Sequence, residues 1–313
     1  MTPTEGALAP VTSTALGPRT RLAGVIGDPV RHSLSPVMHN AAFQALGLDW
    51  AYLAFEVADG QAHAAMAGFR ALGLVGLSVT MPHKAAVVAA VDRLSPTAAA
   101  LGAVNTVVRL PGDVLEGDNT DGAGFLDSLR QDEGFDPDGR HCLVVGAGGA
   151  ARAVVKALAD IGAAEVVVVG RTPSRAATAA ALAGAIGRVG VIAEAADVDL
   201  VVNATPVGMA GVGTWGAEVR SIDGGVIGGG RVEAAPGKSV VEPALLGPGQ
   251  LVVDLVYNPL VTPLVEAARS RGATAVSGLG MLIHQAAHAF RLWTGEDPPL
   301  AVMSAAVIAE LAK

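Results

Sequence analysis

A glycine-rich turn constrains this chain more than any other feature. Gly146-Ala147-Gly148-Gly149-Ala150-Ala151 matches G-x-G-x-x-A. The β-branched run Cys142–Val145 precedes it, and a helical pattern through Ile161 follows. A strand before and a helix after are the setting in which this motif binds a dinucleotide. Gly146 permits the tight turn, Gly148 lets the backbone approach a pyrophosphate, and Ala151 permits close helix–strand contact. The N–H groups at the helix start then face the anion. Strand patterns at Glu165–Val169, Leu200–Asn203 and Leu251–Leu255 continue the rhythm of an open, doubly wound, Rossmann-type domain.

The end of the second strand selects the dinucleotide. NAD sites carry an acidic residue there for the ribose 2′-OH. Here the stretch is Gly170-Arg171-Thr172-Pro173-Ser174-Arg175, with two guanidiniums and no carboxylate. Arginine grips a phosphate with two parallel hydrogen bonds and stays cationic at any working pH. Without an anion, both arginines would oppose the dipole of the helix that follows. The stretch predicts NADP rather than NAD.

Upstream, strand patterns at Leu22–Gly27, Trp50–Val57 and Gly76–Val79 alternate with helical ones after Ser35-Pro36 and around Gln61–Leu72. Such alternation predicts a second α/β sheet with parallel strands. Met281–Trp293 and Ser304–Ala312 read as closing helices. Residues 1–19 read as a flexible tail, and the Gly/Pro-rich Val219–Gly249 as a long surface excursion.

Composition limits the function classes. Hydrophobic residues make up 51% and charged ones 16%, which excludes global disorder. Twenty-one basic residues against 29 acidic ones leave a net charge of −8, which argues against a nucleic-acid partner. Apolar runs break well short of the roughly 20 residues a spanning helix needs. The start shows no signal-peptide pattern, so no membrane partner is expected and the default location is cytoplasmic. The single cysteine, Cys142, excludes an internal disulfide framework and a cysteine-cluster metal site. His284 and His288 stand four apart, but Gln285 replaces the glutamate of a zinc-protease helix, so no metal is expected.

Four polar stretches stand out in so apolar a chain. They are His32-Ser33-Leu34-Ser35-Pro36, Ser78–Lys84, Asn105-Thr106 and Gly117–Gly122. Each follows a strand pattern or lies in a turn, and such positions surround the crevice of an open α/β sheet. Together they offer hydroxyls, an amide, an ammonium and a carboxylate, a set that suits a small polyhydroxylated anion. Each also has a plainer reading: Ser35 or Asp121 caps a helix, and Thr80-Met81-Pro82 makes a turn. Of the four lysines, Lys84, Lys156, Lys238 and Lys313, only Lys84 lies in such a stretch.

These motifs, in this order, are similar to those of the shikimate dehydrogenase family. They are HSLSPVMHNAAF from His32, SVTMPHK from Ser78, GAVNT from Gly102 and GDNTDG from Gly117. VVGAGGAARAV from Val144, GRTPSRA from Gly170, NATPVGM from Asn203 and GLGMLIHQAAHAFRLW from Gly278 follow. The resemblance covers nearly everything from Gly24 to Trp293. It implies an NADP-dependent oxidoreductase acting on a CH–OH group, which reduces 3-dehydroshikimate to shikimate on the route to aromatic amino acids.

Residue by residue, the resemblance implies that Ser33 and Ser35 hold the substrate carboxylate and that Tyr257 closes that end. Thr80, Asn105 and Gln285 would contact the ring hydroxyls and carbonyl. Lys84 and Asp121 would form the catalytic pair, with Lys84 favoured as acid/base and Asp121 orienting it. Gly146, Gly148, Gly149 and Ala150 would cradle the pyrophosphate. Arg171, Thr172 and Arg175 would take the 2′-phosphate, and Thr205 and Gly278 would lie on the nicotinamide side. Gly170 stands where the family often has Asn, and Leu255 where it often has Met.

The expected organisation is a substrate domain of residues 20–121 with 279–313 and an NADP-binding Rossmann domain of 122–278. The expected partner is a small molecule, and both monomer and homodimer stay open. A quinate- or aminoshikimate-acting paralogue and a non-catalytic NADP- or shikimate-binding homologue stay open as well.

Overall fold

The computed structural model describes residues 16–209 and 239–313. Of the expected tail only 16–19, and of the expected excursion only 239–249, are among them. The chain divides into two compact units. The first runs to Asp118 and takes up Ala286–Lys313, and the second is Asn119–Gln285.

The first unit is built on a six-stranded sheet of order β2-β1-β3-β5-β6-β4. Its strands are β1 (Arg21–Gly27), β2 (Trp50–Glu56), β3 (Gly76–Val79), β4 (Arg93–Leu94), β5 (Thr106–Leu110) and β6 (Val114–Asp118). Helices α1 (Ser35–Ala45) and α2 (Ala62–Ala71) follow β1 and β2, and α3 (Pro96–Leu101) precedes β5. The strands are not all parallel, which corrects the expectation from strand–helix alternation. β5 runs antiparallel to β3 and β6. The cause is the tight connection Pro111-Gly112-Asp113, in which Gly112 and Asp113 both take positive φ, +79° and +64°. A three-residue turn can only return the chain antiparallel. This reversal places the start of β5 at the same sheet edge as the ends of β3 and β6.

Ile26, Met66, Phe69, Leu77, Val79, Val107 and Leu115 pack one core of this unit. A second, aromatic layer joins Phe43, Trp50, Tyr52, Phe290 and Trp293. Gly76 is required there. A Cβ at that position would stand 2.5 Å from the Trp293 indole, a rigid ring that cannot move aside.

The second unit carries an all-parallel sheet of order β12-β11-β10-β7-β8-β9. The strands are β7 (His141–Val145), β8 (Glu165–Val169), β9 (Gly187–Val189), β10 (Leu200–Asn203), β11 (Leu251–Asp254) and β12 (Thr274–Ser277). From β9 to β12 the order is 3-2-1-4-5-6 in chain sequence, the doubly wound arrangement whose ligand crevice lies where the order reverses. Here that point is between β7 and β10.

Helices α4 (Asp121–Asp127), α5 (Gly149–Asp160), α6 (Pro173–Ala180) and α7 (Pro263–Ser270) cover this sheet. The chain closes with α8 (Leu279–Thr294) and α9 (Leu300–Leu311). Leu143, Val144, Val166, Val167, Val201 and Val202 are fully buried, as strands covered on both faces require. Each such side chain contributes about 1.5–3 kcal/mol by leaving water. Among the described residues, no helix is long and apolar enough to cross a membrane.

Candidate active site

In the first unit, backbone hydrogen bonds at one sheet edge gather the polar stretches. Thr80 N donates to Ile26 O at 3.0 Å, joining the ends of β3 and β1. Val79 N donates to Asn105 O at 2.7 Å, and Asn105 N to Asp118 O at 3.0 Å. Val104 N donates to Lys84 O at 2.8 Å. Thr80, Lys84 and Asn105 are therefore neighbours by construction. Gly27 lets the turn close, because a Cβ there would stand 2.5 Å from Thr80 Cγ2. His83 is buried and its Nε2 donates to Val57 O at 2.7 Å, which anchors the 80–84 turn to the end of β2.

Ser33 and Ser35 join this edge through a residue that sequence reasoning missed. The Tyr52 hydroxyl donates to Ser78 Oγ at 2.7 Å and also hydrogen-bonds the Ser35 side chain. Burial pushes the Tyr52 phenol well above its ordinary pKa. Ser35 does not cap α1. Leu34 occupies the N-cap position with no side-chain cap, and Ser33 Oγ accepts from Ser35 N at 3.3 Å. The Ser35 hydroxyl is thus turned to Tyr52 rather than spent on the helix start.

In the second unit, Asp121 is buried in the first turn of α4. Thr120 is the N-cap, and no side chain caps this helix. Asn119 Oδ1 accepts from Asp121 N at 3.1 Å. One turn later Gly124 brings α4 against α8: a Cβ there would stand 2.3 Å from Gln285 N. The helix that begins with Asp121 thus packs against the helix that carries Gln285, within one unit. The Gln285 amide donates to Leu282 O at 2.9 Å.

The residues expected to hold the cofactor all follow strands of this unit's parallel sheet. Arg171, Thr172 and Arg175 follow β8, and Gly146–Ala150 follow β7. Thr205 follows β10 and Gly278 follows β12, and Tyr257, expected at the substrate carboxylate, follows β11. Gly146 takes φ +126° and would carry a Cβ 2.9 Å from Ala204 O, so the β7 and β10 turns touch. Gly278 N donates to Val256 O at 3.2 Å, and its Cα faces Leu255 so closely that only glycine fits. From β8 to β12 there are four strand spacings, about 19 Å in all.

A dinucleotide phosphate fits these residues. Gly148 is the N-cap of α5 and carries no side chain to satisfy the first N–H groups. A Cβ at Gly148 would meet nothing within 4 Å, so the turn is open on that side. Neither α5 nor α6 has an acidic residue in its first turn. Arg171, Thr172 and Arg175 are exposed at the start of α6.

Residues 25–107 match the family model "Shikimate dehydrogenase substrate binding domain". Residues 130–206 match "Shikimate / quinate 5-dehydrogenase", and 278–308 match "Shikimate 5'-dehydrogenase C-terminal domain". A curated relative from Moorella thermoacetica, shikimate dehydrogenase (NADP(+)), is 47% identical over 294 residues, 91% of each chain. One from Methanopyrus kandleri with the same name is 45% identical over 96% of this chain and 99% of its own. The chain belongs to the shikimate dehydrogenase family. A Thermus thermophilus shikimate 5-dehydrogenase, solved with NADP(H) and shikimate, superposes with a TM-score of 0.80. It is 37% identical and covers 92% of this chain and 99% of its own.

Burial perturbs two further groups in this family member. Tyr257 is half-buried, and burial raises its phenol pKa. His39, one helical turn after Ser35, is fully buried and stacks on Tyr52 at 4.4 Å between ring centroids. Neither of its ring nitrogens has a hydrogen-bond partner, and burial pulls its pKa down to about 3. The His284–His288 pair also resolves: His284 Nε2 faces both oxygens of Asp132 at 3.2 Å. Among the described residues, no group of three His, Cys, Asp or Glu side chains is placed to hold a metal ion.

Proposed function

We propose that this chain is an NADP-dependent shikimate dehydrogenase that interconverts 3-dehydroshikimate and shikimate. The observation that carries the reading is the joint placement of Thr80, Lys84, Asn105 and the Ser33–Ser35 pair at one edge of the first sheet. These residues carry the hydroxyls, the amide and the ammonium that a polyhydroxylated carboxylate requires. The names of the relatives point the same way.

Ser33 and Ser35 bind the substrate carboxylate through their hydroxyls, and Tyr257 supports that end. Thr80, Asn105 and Gln285 take the ring oxygens and so select the hydroxylated ring. NADPH, when bound, supplies the hydride. Reduction leaves negative charge on the former carbonyl oxygen, and Lys84 donates a proton to it. In the oxidative direction Lys84 takes that proton back from the hydroxyl. Asp121 accepts a hydrogen bond and orients the proton donor. Arg171, Thr172 and Arg175 hold the 2′-phosphate, and the first turn of α5 holds the pyrophosphate. The balance is one shikimate and one NADP+ giving one 3-dehydroshikimate, one NADPH and one proton. A cytoplasmic location belongs to the same proposal.

The test is product analysis of purified enzyme with shikimate and NADP+. Equal amounts of 3-dehydroshikimate and NADPH are expected. NADPH formed without 3-dehydroshikimate, or no reaction with tight ligand binding, would refute the proposal.

A further inference from the structure

The ends of β10 and β11 hold a buried polar pair, Asn203 and Asp254, to which no role has been assigned. Asn203 and Asp254 are both 0% exposed. Asn203 Nδ2 donates to Asp254 Oδ1 at 2.8 Å and to Val207 O at 3.2 Å. Asn203 Oδ1 accepts from Thr205 N at 3.0 Å and from the Thr205 hydroxyl at 2.7 Å. Asp254 Oδ1 also accepts from Val256 N at 3.1 Å, and Oδ2 accepts from the Thr262 hydroxyl at 2.6 Å. Thr262 Oγ1 in turn accepts from Val265 N at 3.2 Å and caps α7.

Every bond of the pair, apart from the one within it, leads into a loop at the carboxyl edge of the sheet. Asn203 fixes the turn 204–208, and Asp254 fixes the segment 255–262. The first turn carries Thr205 and rests on Gly146. The second carries Leu255, which packs on Gly278, and Tyr257. The bonded pair joins the two loops across adjacent strands, beside the approach of Gly208 to Thr262. Burial raises the Asp254 pKa against the hydrogen bonds that favour its charge. A polar group this deep is costly unless its partners are kept, so the loops are held where those bonds need them.

We propose that Asn203 and Asp254 are positioning residues for the nicotinamide end of the cofactor site, locking the 204–208 turn to the 255–262 segment. This rests on the cofactor reading above. One corollary concerns Thr205. Its hydroxyl proton goes to Asn203 Oδ1, and it accepts from Val207 N at 3.3 Å. A hydroxyl has one donor and two acceptor sites, so only an acceptor is left for a ligand. The ligand group meeting Thr205 must therefore be a donor, such as a carboxamide N–H.

The test separates the two ends of the cofactor. Adenosine 2′,5′-bisphosphate probes the Arg171–Arg175 end and the adenosine-side phosphate at α5, and NADPH probes the nicotinamide end as well. In Asp254→Ala, kcat should fall on the order of 100-fold, the scale of a small misplacement transmitted to the chemistry. NADPH affinity should weaken while bisphosphate affinity stays within about twofold of wild type, because its contacts follow β7 and β8 rather than β10 and β11. Asp254→Asn keeps the side-chain size and gives the same pattern if the alanine variant fails to fold. Thr262→Ser should restore wild-type behaviour where Thr262→Val does not. Equal weakening of both ligands would overturn the inference and leave a purely structural role. Unchanged kcat and NADPH affinity would overturn it too. A wild-type enzyme that fails to bind the bisphosphate would refute the cofactor reading itself, and the inference with it.

Discussion

Replacing His39 with leucine should remove a pH dependence built into the first unit. In the folded protein the imidazole is wholly buried, lies between Phe43, Tyr52, Phe290 and Trp293, and has a pKa of about 3. In the unfolded chain it titrates near 6.5. Between these values the unfolded state binds one proton that the folded state does not. Stability therefore falls as pH drops below about 6.5, by up to about 1.4 kcal/mol per pH unit. From about pH 6.5 to about pH 4 the single group accounts for about 3 kcal/mol. His39→Leu removes this loss.

At neutral pH the variant also sheds two buried nitrogens without partners, each costing about 1–3 kcal/mol, against about 0.5–1.5 kcal/mol of lost ring stacking. It should be at least as stable as wild type. The assay is urea unfolding at stepped pH, followed by tryptophan fluorescence. Trp50 and Trp293 both lie in this core, and Trp215, outside the described residues, is replaced by Phe in both proteins. The stability difference should widen by about 3 kcal/mol on going to about pH 4. A difference that stays constant with pH would refute the reasoning.

Further outcomes are expected. Lys84→Ala should lose about 10²–10⁴-fold in kcat while NADPH binds as before, measured by steady-state kinetics and fluorescence titration. Arg171→Ala with Arg175→Ala should weaken NADPH on the order of 100-fold or more and leave NADH little changed, since each charged hydrogen bond contributes about 1.5–3 kcal/mol. Gly124→Ala should cost about 1–3 kcal/mol by forcing α4 from α8, read as a lowered Tm together with a raised KM for shikimate.

The cofactor half was legible because its constraints are local. Gly146 needs positive φ, Gly148 needs an open side, and the arginines follow within a few residues of the next strand. The first sheet was less legible. Strand–helix alternation hid the hairpin of β5 and β6, whose signal is the short Pro111-Gly112-Asp113 connection. Its two strands are five residues each, too short for a clear period. β12, four residues of Thr-Ala-Val-Ser, escaped for the same reason.

The polar stretches were visible as composition, but their convergence was not. It depends on β5 running backwards, so that Asn105 meets Val79. Tyr52 and the Asn203–Asp254 pair leave no local mark at all. Tyr52 looks like an ordinary strand aromatic, and Asp254 ends an apolar strand 51 residues from its partner. Only strand register brings such groups together.

The most direct test of function compares kcat/KM for shikimate and quinate with NADP+ and NAD+ as cofactors. The highest value should belong to shikimate with NADP+, and the Arg171→Ala, Arg175→Ala variant should lose that cofactor preference. A wild-type enzyme that prefers quinate or NAD+, or turns over neither acid, would contradict the assignment.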